Sequence, residues 1–312
     1  MDDTGQFDIA IIGAGIAGSA LATALSGNNL SIALVEAQAL DRPELPTALD
    51  LQHFDPRVSA LTPRSRLLLE NLDAWAAIAA YRQCAYRHMT VWDAEGTGCI
   101  EFDSADVNAP ALGHIVENRA IVSALLARVA AAPDITTFGG ARLRESERTT
   151  GGGVRIQLDD GAALKVGLLV AADGAQSRVR EMMGFRTREW DYGHRAIVST
   201  VRVERPHSHT AWQRFLPSGP LAFLPLPGDD DHHYCSIVWS LQEALVDDLL
   251  ALDETAFCAE LERAFEGRLG RVLGSARRHA FPLRQRHAID YVQPGVALVA
   301  DAAHTIFRGA ML

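Results

Sequence analysis

Apolar runs and helix-forming segments alternate along the first part of the chain. Residues 7–12 form a short apolar run that ends in three glycines, at positions 13, 15 and 18. A helix-forming stretch continues to Ser26, and a second apolar run at residues 31–35 ends at Glu36. The order strand, turn, helix, strand, acid predicts a β-α-β unit of a parallel sheet.

The middle of the chain has the pattern of an antiparallel sheet. Residues 88–92 and 99–102 flank a turn at 93–96, and alternating segments follow at 196–203, 211–216, 221–226 and 234–239. Turns rich in proline, glycine or aspartate lie between several of these segments, which predicts hairpins. We therefore expect an α/β protein in which an antiparallel sheet is inserted into a domain with a parallel sheet.

Two further apolar strands end at acidic residues. Residues 168–172 lead into Asp173-Gly174, and residues 296–300 lead into Asp301. Ligands bind at the carboxyl ends of the strands in open sheets, so each acid is a candidate for a binding site. Asp173 could equally cap the helix that follows it, and the pattern leaves both interpretations open.

The glycine turn has the chemistry of a dinucleotide site. Gly13 permits the sharp turn, Gly15 lets the backbone approach a pyrophosphate, and Gly18 allows close packing of helix and strand. Glu36 comes 21 residues after Gly15, where an acid accepts hydrogen bonds from a ribose. The turn alone does not distinguish NAD from FAD as the ligand. The binding positions that it predicts are Gly13, Ala14, Gly15, Ile16, Ala17 and Gly18.

Composition narrows the class of protein. The chain has 312 residues, 48% of them apolar, and a net charge of −10, which fits a globular protein of about two domains and argues against a nucleic-acid binder. Its four cysteines are widely spaced and its N-terminus is acidic, so we expect a cytoplasmic protein without a signal peptide. Peripheral attachment to the inner membrane or to a biosynthetic complex stays open.

Three motifs resemble those of a known family. They are Gly13-x-Gly15-x-x-Gly18 with Glu36, the segment 172–180 beginning Ala172-Asp173-Gly174, and the segment 299–304 containing Ala300-Asp301. Together they resemble the FAD-dependent aromatic hydroxylases, the class A flavin monooxygenases. Residues 86–93, 112–118, 190–192, 221–226 and 235–240 resemble the ubiquinone-biosynthesis hydroxylases, most closely the 2-polyprenylphenol hydroxylase branch.

The resemblance implies FAD as the cofactor and a role for each motif residue. Glu36 would bind the adenosine ribose, Asp173 and Gly174 would lie beside the pyrophosphate, and Asp301 would bind the ribityl chain. Arg57 and Asn118 would approach the flavin, although Arg57 on pattern alone fits a solvated loop. The implied FAD-binding domain comprises residues 1–85, 108–184 and 285–312, and residues 86–107 and 185–284 form the substrate domain.

The implied reaction transfers one oxygen atom of dioxygen to a prenylated phenol, with NADH or NADPH as a transient electron donor. The sequence contains no Ser/His/Asp set and no metal-ligand spacing, and the Asp229–His233 segment fits a solvated loop. Chemistry supplied by a cofactor agrees with both observations. Phe223, Leu224 and Leu226 are the candidate wall of an apolar substrate pocket.

The chain departs from the family at two places. Ala300 stands where the family usually has glycine, and after Thr305 the family's apolar–proline–glycine segment and helices do not follow. We therefore expect a shortened family member with weak FAD affinity and poor hydroxylation. The alternatives are a flavin reductase or halogenase relative, and a non-catalytic, flavin-poor fragment or partner subunit.

Overall fold

The computed structural model of the chain describes residues 4–228 and 232–305. The helices of these residues are α1 (Ile16–Leu25), α2 (Pro63–Asn71), α3 (Trp75–Tyr81), α4 (Asn118–Ala131), α5 (Arg178–Met182), α6 (Glu243–Ala251) and α7 (Glu254–Ala264). Short 3-10 turns occur at Leu51–His53, Ser104–Val107 and Ala300–Ala302. No helix in the described ranges is both long enough and apolar enough to cross a membrane.

The strands fall into three sheets. In chain order they are β1 (Thr4–Ile12), β2 (Ile32–Glu36), β3 (Val58–Leu61), β4 (Cys84–Tyr86), β5 (His88–Asp93), β6 (Cys99–Asp103), β7 (Gly113–Glu117), β8 (Ile135–Gly139), β9 (Leu143–Arg148), β10 (Val154–Leu158), β11 (Ala163–Ala171), β12 (Thr187–Val203), β13 (Thr210–Leu216), β14 (Gly219–Pro225), β15 (Tyr234–Gln242), β16 (Val272–Ser275), β17 (His279–Ala288), β18 (Val292–Gln293), β19 (Val296–Leu298) and β20 (His304–Thr305).

The first sheet has a parallel centre in the order β8-β2-β1-β11-β19, extended by antiparallel β9, β10 and β18. Residues of β1 alternate between its two faces. Ile9 and Ile11 pack with α1 and α4, whereas Ala10 and Ile12 pack on the side of β9, β10 and α5. Burial on both faces explains why β1 is continuously apolar from Ile9 to Ile12.

The second sheet is antiparallel except for one pair. Its order is β20-β17-β12-β15-β14-β13-β5-β6, β16 pairs with β12, and β5 runs parallel to β13. One face packs against α6 and α7 through a cluster that includes Phe223, Trp239 and Phe257. We call the opposite face, which carries Ala222 and Leu224, the inner face of this sheet.

The third sheet, β3-β7-β4, lies between the other layers. One of its faces packs on the inner face of the antiparallel sheet through Ile115 and Tyr86, which share a cluster with Ala222 and Leu224. Its other face packs through Val116 on α2, α3 and α4. The small sheet therefore joins the helical layer to the antiparallel sheet.

The α/β architecture with a parallel sheet and an antiparallel sheet confirms the predicted fold class. Thr62 caps α2 by accepting a hydrogen bond from the Ser65 N–H at 3.1 Å, and Asp253 caps α7 through the Ala256 N–H at 2.8 Å, as the sequence predicts. The 88–102 hairpin is present as β5 and β6. The strand expected over 296–300 is shorter, because Ala300 begins a 3-10 turn.

Candidate cofactor and substrate site

The glycine turn joins β1 to α1 with almost no room for side chains. Gly13 has a φ of +103°, and a Cβ built there would lie 2.4 Å from the Ala172 carbonyl oxygen. A Cβ on Gly18 would lie 1.8 Å from the Gly13 carbonyl oxygen. A Cβ on Gly15, in contrast, would have no atom within 4 Å. The turn thus requires glycine for packing at two positions and leaves the third facing open space.

Glu36 is tied directly to this turn. It ends β2, and its Oε2 accepts a hydrogen bond from the Ala14 N–H at 2.8 Å. Its Oε1 accepts a second bond from the Gln38 N–H at 3.1 Å. A carboxylate has about four acceptor sites, so two backbone bonds leave capacity for hydroxyl donors.

A cavity of about 510 Å³ opens beside the turn. Its lining includes Gly13, Gly15, Glu36, Arg142, Asp173 and Gly174. The carboxyl ends of β1, β2 and β11 all reach it, which is where ligands bind in open parallel sheets. The structure thus brings the first two sequence motifs together at one cavity.

Asp173 has the capping role that the sequence left open, and it also lines the cavity. Its Oδ2 accepts hydrogen bonds from the Arg178 N–H at 2.8 Å and the Val179 N–H at 3.3 Å, so it helps to cap α5. Its Oδ1 is buried and has no hydrogen-bond partner in the described structure. A buried, unpaired carboxylate oxygen is costly, which favours a ligand donor at this position.

Asp301 lies outside that cavity and is exposed, within the 3-10 turn that follows β19. The preceding residue, Ala300, has a φ of +50°. This left-handed conformation suits glycine and costs alanine roughly 1 kcal/mol. This conformation gives a physical reason for the glycine that the family usually has at this position, where this chain has alanine.

Arg57 and Asn118 lie side by side although they are distant in sequence. The Asn118 N–H donates to the Arg57 carbonyl oxygen at 3.0 Å, and the Ser59 hydroxyl donates to Asn118 Oδ1 at 2.7 Å. The Arg57 side chain is exposed. The glycine turn is also near α4, because Ile16 at the start of α1 packs against the cluster that includes Val116 and Ala120.

The three candidate substrate residues do not form one wall. Phe223 is fully buried and stacks on Phe265 with ring centroids 3.9 Å apart, on the side of α6 and α7. Leu224 and Leu226 pack in the cluster on the inner face. Successive strand residues point to opposite faces, so Phe223 cannot share a pocket with Leu224.

Sequence reasoning missed two polar features. A buried ionic group formed by Asp55, Arg82, Glu117 and Arg119 lies beneath Arg57 and Asn118. Gln213 is 3% exposed, and its Oε1 is buried with no hydrogen-bond partner among residues 4–228 and 232–305. Glu117, the acid at the end of the apolar β7 run, was a signal in the sequence for the ionic group. The burial of Gln213 follows only from strand pairing.

A histidine cluster lies near the β14–β15 connection. The His207 Nε2–H donates to the Leu226 carbonyl oxygen at 3.0 Å, and His207 Nδ1 accepts from the His209 N–H at 3.1 Å. Burial lowers the pKa of His207 to about 4. Residues 229–231 lie outside the described structure, and within it no group of three or more ligating side chains could hold a metal ion.

Comparison with known proteins identifies the family. The FAD binding domain family matches residues 6–308. The 3-demethoxyubiquinol 3-hydroxylase of Escherichia coli is 36% identical over 299 residues, which cover 96% of this chain and 73% of that protein. The chain belongs to the FAD-dependent ubiquinone-biosynthesis hydroxylases. Ubiquinone hydroxylase UbiL of Rhodospirillum rubrum is 36% identical (95% and 66% covered), and ubiquinone biosynthesis monooxygenase COQ6 of Homo sapiens is 32% identical (96% and 72%).

Solved structures agree on the fold. PqsL of P. aeruginosa in complex with 2-aminobenzoylacetate matches with a TM-score of 0.77 at 18% identity, covering 96% of this chain and 79% of that one. The flavin-dependent monooxygenase PieE, in complex with FAD and substrate, matches with a TM-score of 0.73 at 17% identity, covering 97% and 54%. The family assignment makes this chain an enzyme of the monooxygenase class with FAD as its cofactor.

Proposed function

We propose that the protein hydroxylates a prenylated phenol in ubiquinone biosynthesis, using FAD and dioxygen. The observation that carries this proposal is the glycine turn beside a cavity with an unpaired Asp173 oxygen, in a chain similar over almost its whole length to ubiquinone hydroxylases. We also propose the division stated above, with residues 86–107 and 185–284 as the substrate domain.

The described residues fit the ADP half of FAD. Gly15 leaves space for a pyrophosphate, the N-terminal amides of α1 favour its negative charge, and Glu36 has acceptor capacity for a ribose. Arg57, Asn118 and Asp301 are proposed contacts of the remaining half. When bound, FAD supplies the activation of dioxygen, and the protein's part is to orient the phenol and exclude water.

The inner face of the antiparallel sheet is the proposed substrate surface. Leu224 and the neighbouring Ala222 make this face apolar, as a prenyl chain requires, and both are buried against Ile115 and Tyr86. A prenyl chain would therefore displace part of this packing. Gln213 lies beside Ala222 across the β13–β14 pair, and Trp212 before it points to the opposite face. The phenol hydroxyl would donate to the unpaired Gln213 Oε1, which removes the cost of a buried acceptor.

The direct test is to purify the protein, measure its FAD content, and supply reduced nicotinamide with a prenylated phenol. We expect FAD to bind on reconstitution and the product to carry one additional oxygen atom; the flavin content also tests the weak affinity that the sequence predicts. Nicotinamide oxidation without oxygenated product would favour a reductase. Absence of bound flavin after reconstitution would favour a non-catalytic partner subunit and contradict the proposal.

A Gln213→Leu variant tests the substrate surface. Because one hydrogen bond to the phenol is lost, we expect KM for the phenol to rise about tenfold with unchanged flavin content. Gln242→Leu, at an exposed position at the end of β15, is the matched control and should leave KM unchanged. An unaltered KM in Gln213→Leu would remove Gln213 from the site.

A further inference from the structure

A buried ionic group lies directly beneath the corner formed by Arg57 and Asn118. Glu117 ends β7, and its side chain is only 1% exposed. Its Oε1 accepts a hydrogen bond from Arg82 Nη1 at 3.3 Å, and its Oε2 accepts from the Arg119 guanidinium. Two cations thus compensate one buried carboxylate, an arrangement that is strongly destabilised when one partner is removed.

The same carboxylate fixes the loop that carries Arg57. Glu117 Oε2 accepts a hydrogen bond from the Asp55 N–H at 2.7 Å. Asp55 in turn accepts from the Arg57 N–H at 3.0 Å through Oδ1 and from the Arg119 N–H at 2.9 Å through Oδ2. The side chain of Asp55 therefore holds the backbone amides of both Arg57 and Arg119, and Glu117 in turn positions Asp55.

Arg82 extends the group to the preceding loop. Its Nη2 donates to the carbonyl oxygens of Pro46 at 2.6 Å and Ala48 at 2.5 Å, and its guanidinium lies 5.0 Å from the Phe54 ring centroid. One buried arginine thus contacts the segment before β3 at Pro46, Ala48 and Phe54. Arg57 itself is exposed, so its place depends on this support beneath its backbone.

We propose that Glu117 is a positioning residue for the flavin, acting through Asp55 on Arg57 and, by the Asn118–Arg57 backbone bond, on Asn118. This inference rests on the proposed function, because Arg57 and Asn118 are proposed flavin contacts. A residue with this role affects how the flavin is held, whereas a residue with a purely structural role affects only folding.

The test compares FAD dissociation constants and bound-flavin absorption spectra of Glu117→Gln and Glu266→Gln. Glu266 is the matched control because it also pairs with a mostly buried arginine, Arg214, on the other face of the antiparallel sheet. We expect Glu117→Gln to weaken FAD binding about tenfold and to shift the visible flavin band. Glu266→Gln should change neither readout.

A double-mutant cycle separates positioning from a general loss of stability. Arg57→Ala alone should weaken FAD binding, and adding Glu117→Gln should weaken it further by clearly less than the tenfold expected of Glu117→Gln alone, because part of the effect of Glu117 passes through the Arg57 side chain. Additive effects in this cycle, or wild-type affinity in Glu117→Gln, would overturn the inference. Failure of the wild-type chain to bind FAD would instead overturn the proposed function and the inference together.

Asp55→Asn provides a second route if Glu117→Gln does not fold. It removes one of the two acceptors that hold the backbone amides of Arg57 and Arg119, and we expect the same direction of change in affinity and spectrum. If neither variant gave a folded chain, the ionic group would be structural and the inference would be wrong.

Discussion

At the glycine turn the chain contributes backbone amides and empty space, whereas at the Arg57–Asn118 corner it contributes side chains held by buried charges. The turn is defined by contacts such as the 1.8 Å approach that a Cβ on Gly18 would make. The corner is defined by the Glu117 carboxylate, which has partners on three other segments. One end of the proposed site depends on steric exclusion and the other on charge compensation.

This difference predicts how each end responds to change. A steric requirement is local and tolerates no added atom, so a single methyl group should damage the turn. A charge network is distributed, so a substitution there should act through its neighbours.

Gly18→Ala should have the largest effect on stability. The added Cβ must displace α1 from β1, and we expect the free energy of unfolding of the apoprotein to fall by about 3 kcal/mol. Gly15→Ala is the matched variant, because its Cβ enters open space. It should leave stability within about 0.5 kcal/mol of wild type and weaken FAD binding about tenfold.

Urea denaturation of both variants, with FAD titration of the folded chains, makes this comparison. Equal stability losses at the two positions would contradict the steric account of the turn. Unchanged FAD affinity in Gly15→Ala would mean that the open space beside this glycine is not where the pyrophosphate lies.

Low pH should reduce the stability of the folded protein, because His207 is buried. Burial holds the pKa of His207 near 4 in the folded state, against 6.5 as its ordinary value. Between these two pH values, His207 is protonated in the unfolded chain and neutral in the folded chain. The free energy of unfolding therefore falls as the pH drops below 6.5. From pH 7.5 to pH 5 we expect a loss of about 2 kcal/mol.

Urea midpoints across this pH range would measure the effect, with His207→Gln as the comparison. The variant should be less stable at neutral pH, because it alters a buried residue, and should lose less stability in acid than wild type. Parallel pH dependence in the two proteins would assign the acid sensitivity to other groups.

Ala300→Gly should have the smallest effect. Relief of the left-handed conformation outweighs the greater freedom of glycine in the unfolded chain, and we expect a gain of about 0.5 kcal/mol. A thermal unfolding midpoint would measure it, with the neighbouring Ala297→Gly, in β19, as the control. That control should lose stability, since glycine weakens a strand.

The sequence predicts the turn better than the corner for a physical reason. Gly13, Gly15, Gly18 and Glu36 belong to one β-α-β unit, so their spacing alone determines their arrangement. Asp55, Arg82 and Glu117 meet only because β3, β7 and β4 pair, and no local pattern encodes such a contact. The sequence predicts strands without their order. The expectation that Phe223 and Leu224 share one wall failed for a different reason, because the alternation of side chains along a strand places them on opposite faces.

The pairing of β1 has a consequence for how the molecule folds. Thr4 pairs with Ala163 in β11, and β11 pairs in turn with β19, where Leu169 lies opposite Val296. Before such distant contacts form, the chain must lose the entropy of closing long loops, and this loss slows folding. During synthesis, therefore, β1 waits for β11 and β11 waits for β19, so the parallel centre of the first sheet can close only after residue 298 has left the ribosome.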